Sequence, residues 1–154
     1  MTIILTVYFI AIISAFFLTK KYQLTLNEKD FEFMNFLNFF FKHFWYLFVI
    51  WIVGFSKISK IFVYFIIYFK GLTIGILIKN LIKLKFTLLM AIITLDFIMI
   101  FPLLIVLANA SLSFSKINNQ SLYVTKKYEK LIYITLLITL IYSFLLEMVG
   151  GIYG

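Results

Sequence analysis

The groups able to do chemistry in this 154-residue chain are few: six acids, one histidine, fourteen basic residues that are all lysine, and no cysteine. A nucleophile beside a base, an HExxH zinc helix, paired Cys and His ligands or a glycine-rich phosphate loop would each need a residue set that these do not supply. No catalytic, cofactor-binding or metal site is therefore expected, and the chain is not expected to be an enzyme. What stands out instead is charge placed inside apolar sequence. Lys70 is the tenth residue of an apolar run at 61–78, and Asp96 is the eleventh of a run at 86–115. At the centre of a membrane helix each would cost ~2.5–3.5 kcal/mol on insertion scales, so each needs a partner. Lys70 lies nine residues before Lys79 and Asp96 eleven after Lys85. If the two runs are antiparallel neighbours, the two depths differ by only ~3 Å at 1.5 Å per residue, and a Lys70–Asp96 ion pair is the cheapest arrangement. A relay of ions or protons through Lys70, Asp96 and Glu147 is the sharper alternative. His43 could act as a proton switch, although beside Trp45 and Tyr46 it reads more plainly as an interfacial histidine. Ser111, Ser113 and Ser115 suggest hydroxyl chemistry or, more simply, the small polar residues that let membrane helices pack.

The elements that must position these groups follow from composition. Hydrophobic residues make up 64 % of the chain and charged residues 13 %, with a mean hydropathy of +1.10. A soluble domain has roughly 25 % charged residues, and one this short must still cover about a third of its unfolded surface with water-compatible groups. Lipid is the solvent that fits, so the expected fold is an all-α polytopic membrane bundle forming a single membrane domain over 1–154. Its apolar segments are 2–19, 44–56, 61–78, 86–115 and 131–149. Segment 2–19 ends on Lys20 and Lys21 and reads as a first membrane helix more readily than as a cleaved signal peptide, since no lysine precedes the run and no convincing small-residue cleavage site precedes Lys20. Residues 27–42, with Asn27 as N-cap, the acids Glu28, Asp30 and Glu32, and Phe36, Phe39, Phe40 and Phe41, read as an amphipathic interfacial helix. Segment 44–56 is short for a crossing: it either borrows Lys42, His43 and Lys57 to span or is re-entrant. Lys79, Lys83 and Lys85 mark a tight basic turn, and Pro102 is placed to kink the long run that follows. Continuous apolar runs exclude a β-barrel.

The formal charge of +8 does not point to nucleic acid, because the lysines flank apolar runs singly or in small groups instead of forming a basic stripe. The lipid bilayer is the expected partner of those lysines. With five crossings and an inner N-terminus, six lysines fall inside and seven outside, so lysine asymmetry assigns no orientation.

Small-residue spacings occur at Gly71 and Gly75 and at Ser111 and Ser115. From Trp45 onward, over about 105 residues, their order and that of their neighbours resembles the stage II sporulation protein M family of bacterial multi-spanning membrane proteins. The residues that carry the resemblance are Trp51, Gly54 and Ser56, then Lys70, Gly71 and Gly75, then Pro102, Ser111, Ser113, Phe114 and Ser115, and finally Glu147 near the end of the last helix. Two family motifs differ: a Gly-x-Pro turn stands as Ser59, Lys60 and Ile61, and a Pro-Gln-Asn as Leu95, Asp96 and Phe97. The resemblance implies a non-enzymatic scaffold in the bacterial cell membrane, which in the sporulation engulfment machinery holds peptidoglycan hydrolases. Relatives in circular bacteriocin gene clusters imply the alternative of an accessory export or self-immunity protein beside a transport ATPase, and a small ion or peptide transporter is a further reading. Partners are accordingly expected among membrane or envelope proteins, without cofactor or nucleic acid.

Overall fold

The structure, a computed structural model, describes residues 2–18, 33–81, 86–116 and 122–153. Residues 27–32 of the expected interfacial segment 27–42, the turn lysines Lys83 and Lys85, and residues 117–121 lie outside the described residues. The architecture is an all-α polytopic bundle. Helix α1 is Thr2–Leu18, α2 is Phe33–Val53 and α3 is Ser59–Leu81. The fourth rod consists of α4 (Phe86–Leu95), a wide π-helical turn at Asp96–Ile100, and α5 (Phe101–Phe114). Helix α6, Leu122–Tyr153, closes the chain. Four stretches are long and apolar enough to cross a membrane: Phe36–Val53, Ser59–Lys79, Met90–Phe114 and Val124–Val149. Helix α1 is apolar over Thr2–Phe17 and shorter.

Successive rods alternate in direction. Gly71 and Gly75 of α3 lie against Tyr8 and Ile12 of α1, and Lys79 Nζ donates to the Phe16 carbonyl at 2.8 Å, so α1 and α3 run parallel. Trp51 and His43 of α2 meet Tyr128 and Tyr142 of α6 in the opposite order. Lys70 and Ser59 of α3 face Asp96 and Ser115 of the fourth rod, again in opposite order.

The segment boundary expected at residues 42–44 is corrected. From Phe33 onward the supposed interfacial helix forms the first turns of α2, and residues 36–53 make one full-length span. The physical reason is that neither Lys42 nor His43 interrupts a helix. Lys42 projects outward and is exposed, while His43 Nδ1 donates to the Phe39 carbonyl four residues back, at 2.8 Å, a bond that fits inside a continuous α-helix.

Where a kink is expected at Pro102, the structure has a π-helical turn just before it. Pro102 has no N–H for the Ile98 carbonyl, and its ring would crowd that carbonyl in a regular α-turn. The wide turn immediately before it separates them, with the Phe101 N–H bonding to the Asp96 carbonyl five residues back. Such π-turns are frequent at functional sites.

The bundle is apolar outside, and its apolar core also encloses polar side chains. Phe17 and Ile61 are 85 % and 72 % exposed, whereas Thr135, Thr139 and Ser143 on α6 are fully buried. These three hydroxyls donate to their own helix, to the carbonyls of Leu131, Thr135 and Thr139 at 2.6–2.8 Å. They add close packing without demanding a polar neighbour on another rod.

Helix contact distances follow side-chain size. Gly71 and Gly75 bring α1 onto α3 so closely that an added Cβ would meet the Tyr8 carbonyl oxygen at 2.6 Å and the Ile12 carbonyl oxygen at 2.6 Å. Between α2 and α3 stand Trp45, Tyr46, Phe65 and Phe69, and the two helices are held apart around a groove.

Candidate functional site

Two sets of polar residues are built from the four long rods. The first lies midway along them. Lys70 Nζ sits 3.0 Å from Asp96 Oδ1, with side chains only 7 % and 4 % exposed. Three features bring them together: the antiparallel course of α3 and the fourth rod, the similar distance of each residue from the connection between them, and the wide turn that starts at Asp96. The same Oδ1 accepts a longer hydrogen bond from the Tyr142 hydroxyl, at 3.3 Å. The Lys70 ammonium also lies 5.0 Å from the centre of the Tyr46 ring, a cation–π distance. His43 meets Tyr142 edge-to-face at 4.9 Å between ring centres, and Tyr8 stacks at a tilt on Phe101 at 4.8 Å. The buried Tyr46 hydroxyl has no hydrogen-bond partner.

This layer is a charge pair surrounded by aromatic rings. A carboxylate held by an ammonium and a phenol has its charge balanced inside the bundle, which is what a lipid-embedded pair requires to be tolerated. Glu147 is buried as well and stands five residues, ~7.5 Å along the helix, beyond Tyr142. Tyr8, Tyr46 and Tyr142 are additions to the sequence reading. For Tyr8 and Tyr142 the signal was available, as tyrosines within apolar runs away from the ends where such rings usually anchor at the interface, whereas Tyr46 stands near the start of its run.

The second set lies at the Ser59 end and ties α2, the fourth rod and α6 together. The Trp51 indole N–H donates to the Tyr128 carbonyl at 3.2 Å, and the Tyr128 hydroxyl donates to the Trp51 carbonyl at 2.7 Å. The Tyr128 ring stacks on Phe114 at 4.3 Å and on Trp51 at 6.0 Å, with Phe55 edge-on at 5.4 Å. Gly54 makes room for this clamp: a Cβ there would coincide with the Tyr128 hydroxyl and meet Ser111 Oγ at 2.9 Å. Ser111 Oγ is buried beside the Tyr128 hydroxyl. Ser59 Oγ donates to Ser115 Oγ at 2.6 Å, and Ser115 passes its own proton to the Leu112 carbonyl at 3.1 Å. Ser56 turns the chain between α2 and α3, its hydroxyl accepting from the Ile58 N–H at 3.3 Å.

No known protein family matches this chain, and no curated protein or solved structure does either.

The structure thus gathers Trp51, Gly54, Ser56, Ser111, Phe114 and Ser115 at one end of the bundle, and Lys70 with Asp96 at its middle. Gly71 and Gly75 serve the separate α1–α3 contact. Pro102 and Ser113 are exposed and belong to neither set. Trp51 was legible from sequence only as part of a motif. Its partner Tyr128 was not, because it sits in the most polar stretch of the chain, 77 residues away.

The clamp gives a direct expectation. Tyr128→Phe removes one hydrogen bond and should cost about 1 kcal/mol, whereas Gly54→Ala overpacks the clamp and should cost 1–3 kcal/mol, as small-to-large core changes do at roughly that scale. In the double variant the most severe of the clashes is gone and only the Tyr128 ring carbon at 2.8 Å and Ser111 Oγ at 2.9 Å must still yield, so the combined loss should fall short of the sum. Equilibrium unfolding in SDS of the three variants, followed by tryptophan fluorescence, measures this; additive losses would mean that the methyl does not meet the hydroxyl.

Proposed function

We propose that this protein is a non-enzymatic scaffold or accessory subunit of a bacterial cell membrane, one that presents a rigid bundle end to partner proteins. The observation that carries this reading is that the end tied by the Trp51–Tyr128 clamp also displays Lys57, Lys60, Lys116, Lys126, Lys127 and Lys130, all exposed. A surface on which six exposed lysines stand against Glu129, the one exposed acid among the described residues, favours docking of a partner with the opposite sign and fixes its orientation. The partner class that fits is a membrane or envelope protein with an acidic face.

The likeness to stage II sporulation protein M supports the same reading through particular residues. Ser59, which replaces the family's turn glycine, bonds to Ser115, and Asp96, which replaces its glutamine, pairs with Lys70. Both departures are matched by contacts to residues that carry the likeness. Within that family the partners would be peptidoglycan hydrolases, and in the bacteriocin branch a transport ATPase.

The experiment is crosslinking and co-purification from the native host in mild detergent. A partner should be recovered with the parent protein, and recovery should fall at least several-fold for Lys57→Glu/Lys60→Glu/Lys116→Glu, with the folded fraction unchanged. Isolation of a lone protein under crosslinking would overturn the scaffold. So would ion flux in proteoliposomes that disappears on Lys70→Met, which would establish transport through the buried pair instead.

A further inference from the structure

The groove between α2 and α3 is a cavity of about 470 Å³, half-open to the surroundings of the bundle. Its walls are lipophilic: Trp45 and Val49 on one side, Phe65 and Phe69 on the other. Its polar lining includes two lysines, Lys42 and Lys70, and no acid. Lys70 is already engaged by Asp96 at 3.0 Å. Lys42 is exposed and has no acidic partner among the described residues.

Depth makes this informative. Lys70 falls near the middle of the span Ser59–Lys79, and its ammonium lies over the Tyr46 ring. Lys42 is one helical turn from Tyr46, so its backbone sits only ~6 Å from that central layer, well within the ~15 Å half-thickness of a hydrocarbon core. A lysine at this depth extends its stem along apolar surface toward the headgroups and takes its counter-anion there. The groove runs from Lys42 past Trp45 to Val49 and Phe65, which is the shape of a headgroup followed by a chain.

We infer that the α2–α3 groove is a binding site for one anionic phospholipid, its phosphate met by the Lys42 ammonium at the headgroup level and an acyl chain lying between Trp45, Val49, Phe65 and Phe69. The aromatic side chains that hold α2 away from α3 create the site. By contrast, the glycines of α3 close the equivalent space against α1.

Trp45 lines the groove, and Trp51, the only other tryptophan, is half-buried in the clamp. In a Trp51→Phe background Trp45 is therefore the sole reporter. The protein is reconstituted in vesicles of phosphatidylcholine mixed with phosphatidylglycerol, with bromine on the acyl chains of one lipid at a time. Quenching should show about a five-fold preference for phosphatidylglycerol, the contribution of about one lysine beside an anionic headgroup. Lys42→Gln should reduce the ratio to about one, Lys42→Arg should retain it, and Lys57→Gln should leave it unchanged. A ratio near one in the parent, or a five-fold ratio kept by Lys42→Gln, overturns the site. Loss of the preference on adding millimolar glycerol 3-phosphate overturns the lipid as its occupant, because a free phosphate ester would then satisfy Lys42 without a chain in the groove. Lys42 is exposed, so its variants are expected to fold as the parent does, and circular dichroism verifies this.

Discussion

Neutralising either member of the Lys70–Asp96 pair alone should destabilise the bundle by about 3–5 kcal/mol, while neutralising both should cost less than either single change. The two side chains are 7 % and 4 % exposed and 3.0 Å apart. In Lys70→Met the Asp96 carboxylate keeps only the longer bond from Tyr142 and must either carry an unbalanced charge in the bundle or take up a proton. In Asp96→Asn the Lys70 ammonium retains the face of the Tyr46 ring, a weaker attraction of about 0.5–2 kcal/mol. The double variant Lys70→Met/Asp96→Leu removes the charges together and fills the space with apolar atoms, which in buried pairs is often neutral or stabilising. Unfolding in SDS, read as folded fraction, gives the three losses and the coupling between them. Strictly additive losses would falsify the pairing as an energetic unit. A further readout separates structure from transport: if the pair serves only to balance charge, the double variant should retain both fold and partner recovery.

The second large effect is expected at the α1–α3 contact. Gly71→Ala would place a methyl carbon 2.6 Å from the Tyr8 carbonyl oxygen and 2.7 Å from the Ala11 Cβ. Gly75→Ala would place one 2.6 Å from both the Ala15 Cβ and the Ile12 carbonyl oxygen. All of these neighbours are α1 backbone or short side chains on it, so no flexible side-chain end can yield and the helix itself must move. Each change should cost roughly 1–3 kcal/mol. Gly71→Leu/Gly75→Leu should detach α1 from α3 altogether, also breaking the bond between Lys79 and the Phe16 carbonyl. Hydrogen exchange of α1 amides in detergent should then rise steeply while α6 stays protected. Equal protection of both helices in the double leucine variant would show that α1 is held by contacts other than these two glycines.

The lipid-facing surface explains why both effects are large. In the four spanning stretches only 11–33 % of residues are buried within the chain, so the inner contacts are few and each carries a substantial share of the specificity. Apolar burial offers little discrimination here, because lipid tails are as apolar as Leu and Ile. The close glycine approach, the charge pair and the tyrosine–tryptophan clamp therefore decide which faces meet.

The all-helical, multi-spanning architecture was legible in the sequence because run length and apolar content answer directly to bilayer thickness and to the need to satisfy every backbone group internally. The wide turn at Asp96–Ile100 was foreshadowed by Pro102, since a missing N–H has a local consequence wherever the helix goes. The Lys70–Asp96 proximity could be anticipated for a similar reason: both depths are counted from one short connection. The continuation of α2 through Lys42 and His43 matches the spanning alternative for segment 44–56; the sequence left that choice open, because a polar residue in an apolar run is equally compatible with a helix end and with a side chain that snorkels. Tertiary structure alone decided the remainder. Trp51 found Tyr128 across 77 residues, Ser59 found Ser115, and Tyr142 was added to Asp96. None of these pairings follows from periodicity, because the rotation of each helix about its own axis is set by how neighbouring rods interlock. The α2–α3 groove is of the same kind: the sequence supplies its aromatic residues and lysines, but only packing leaves the space between them open to lipid.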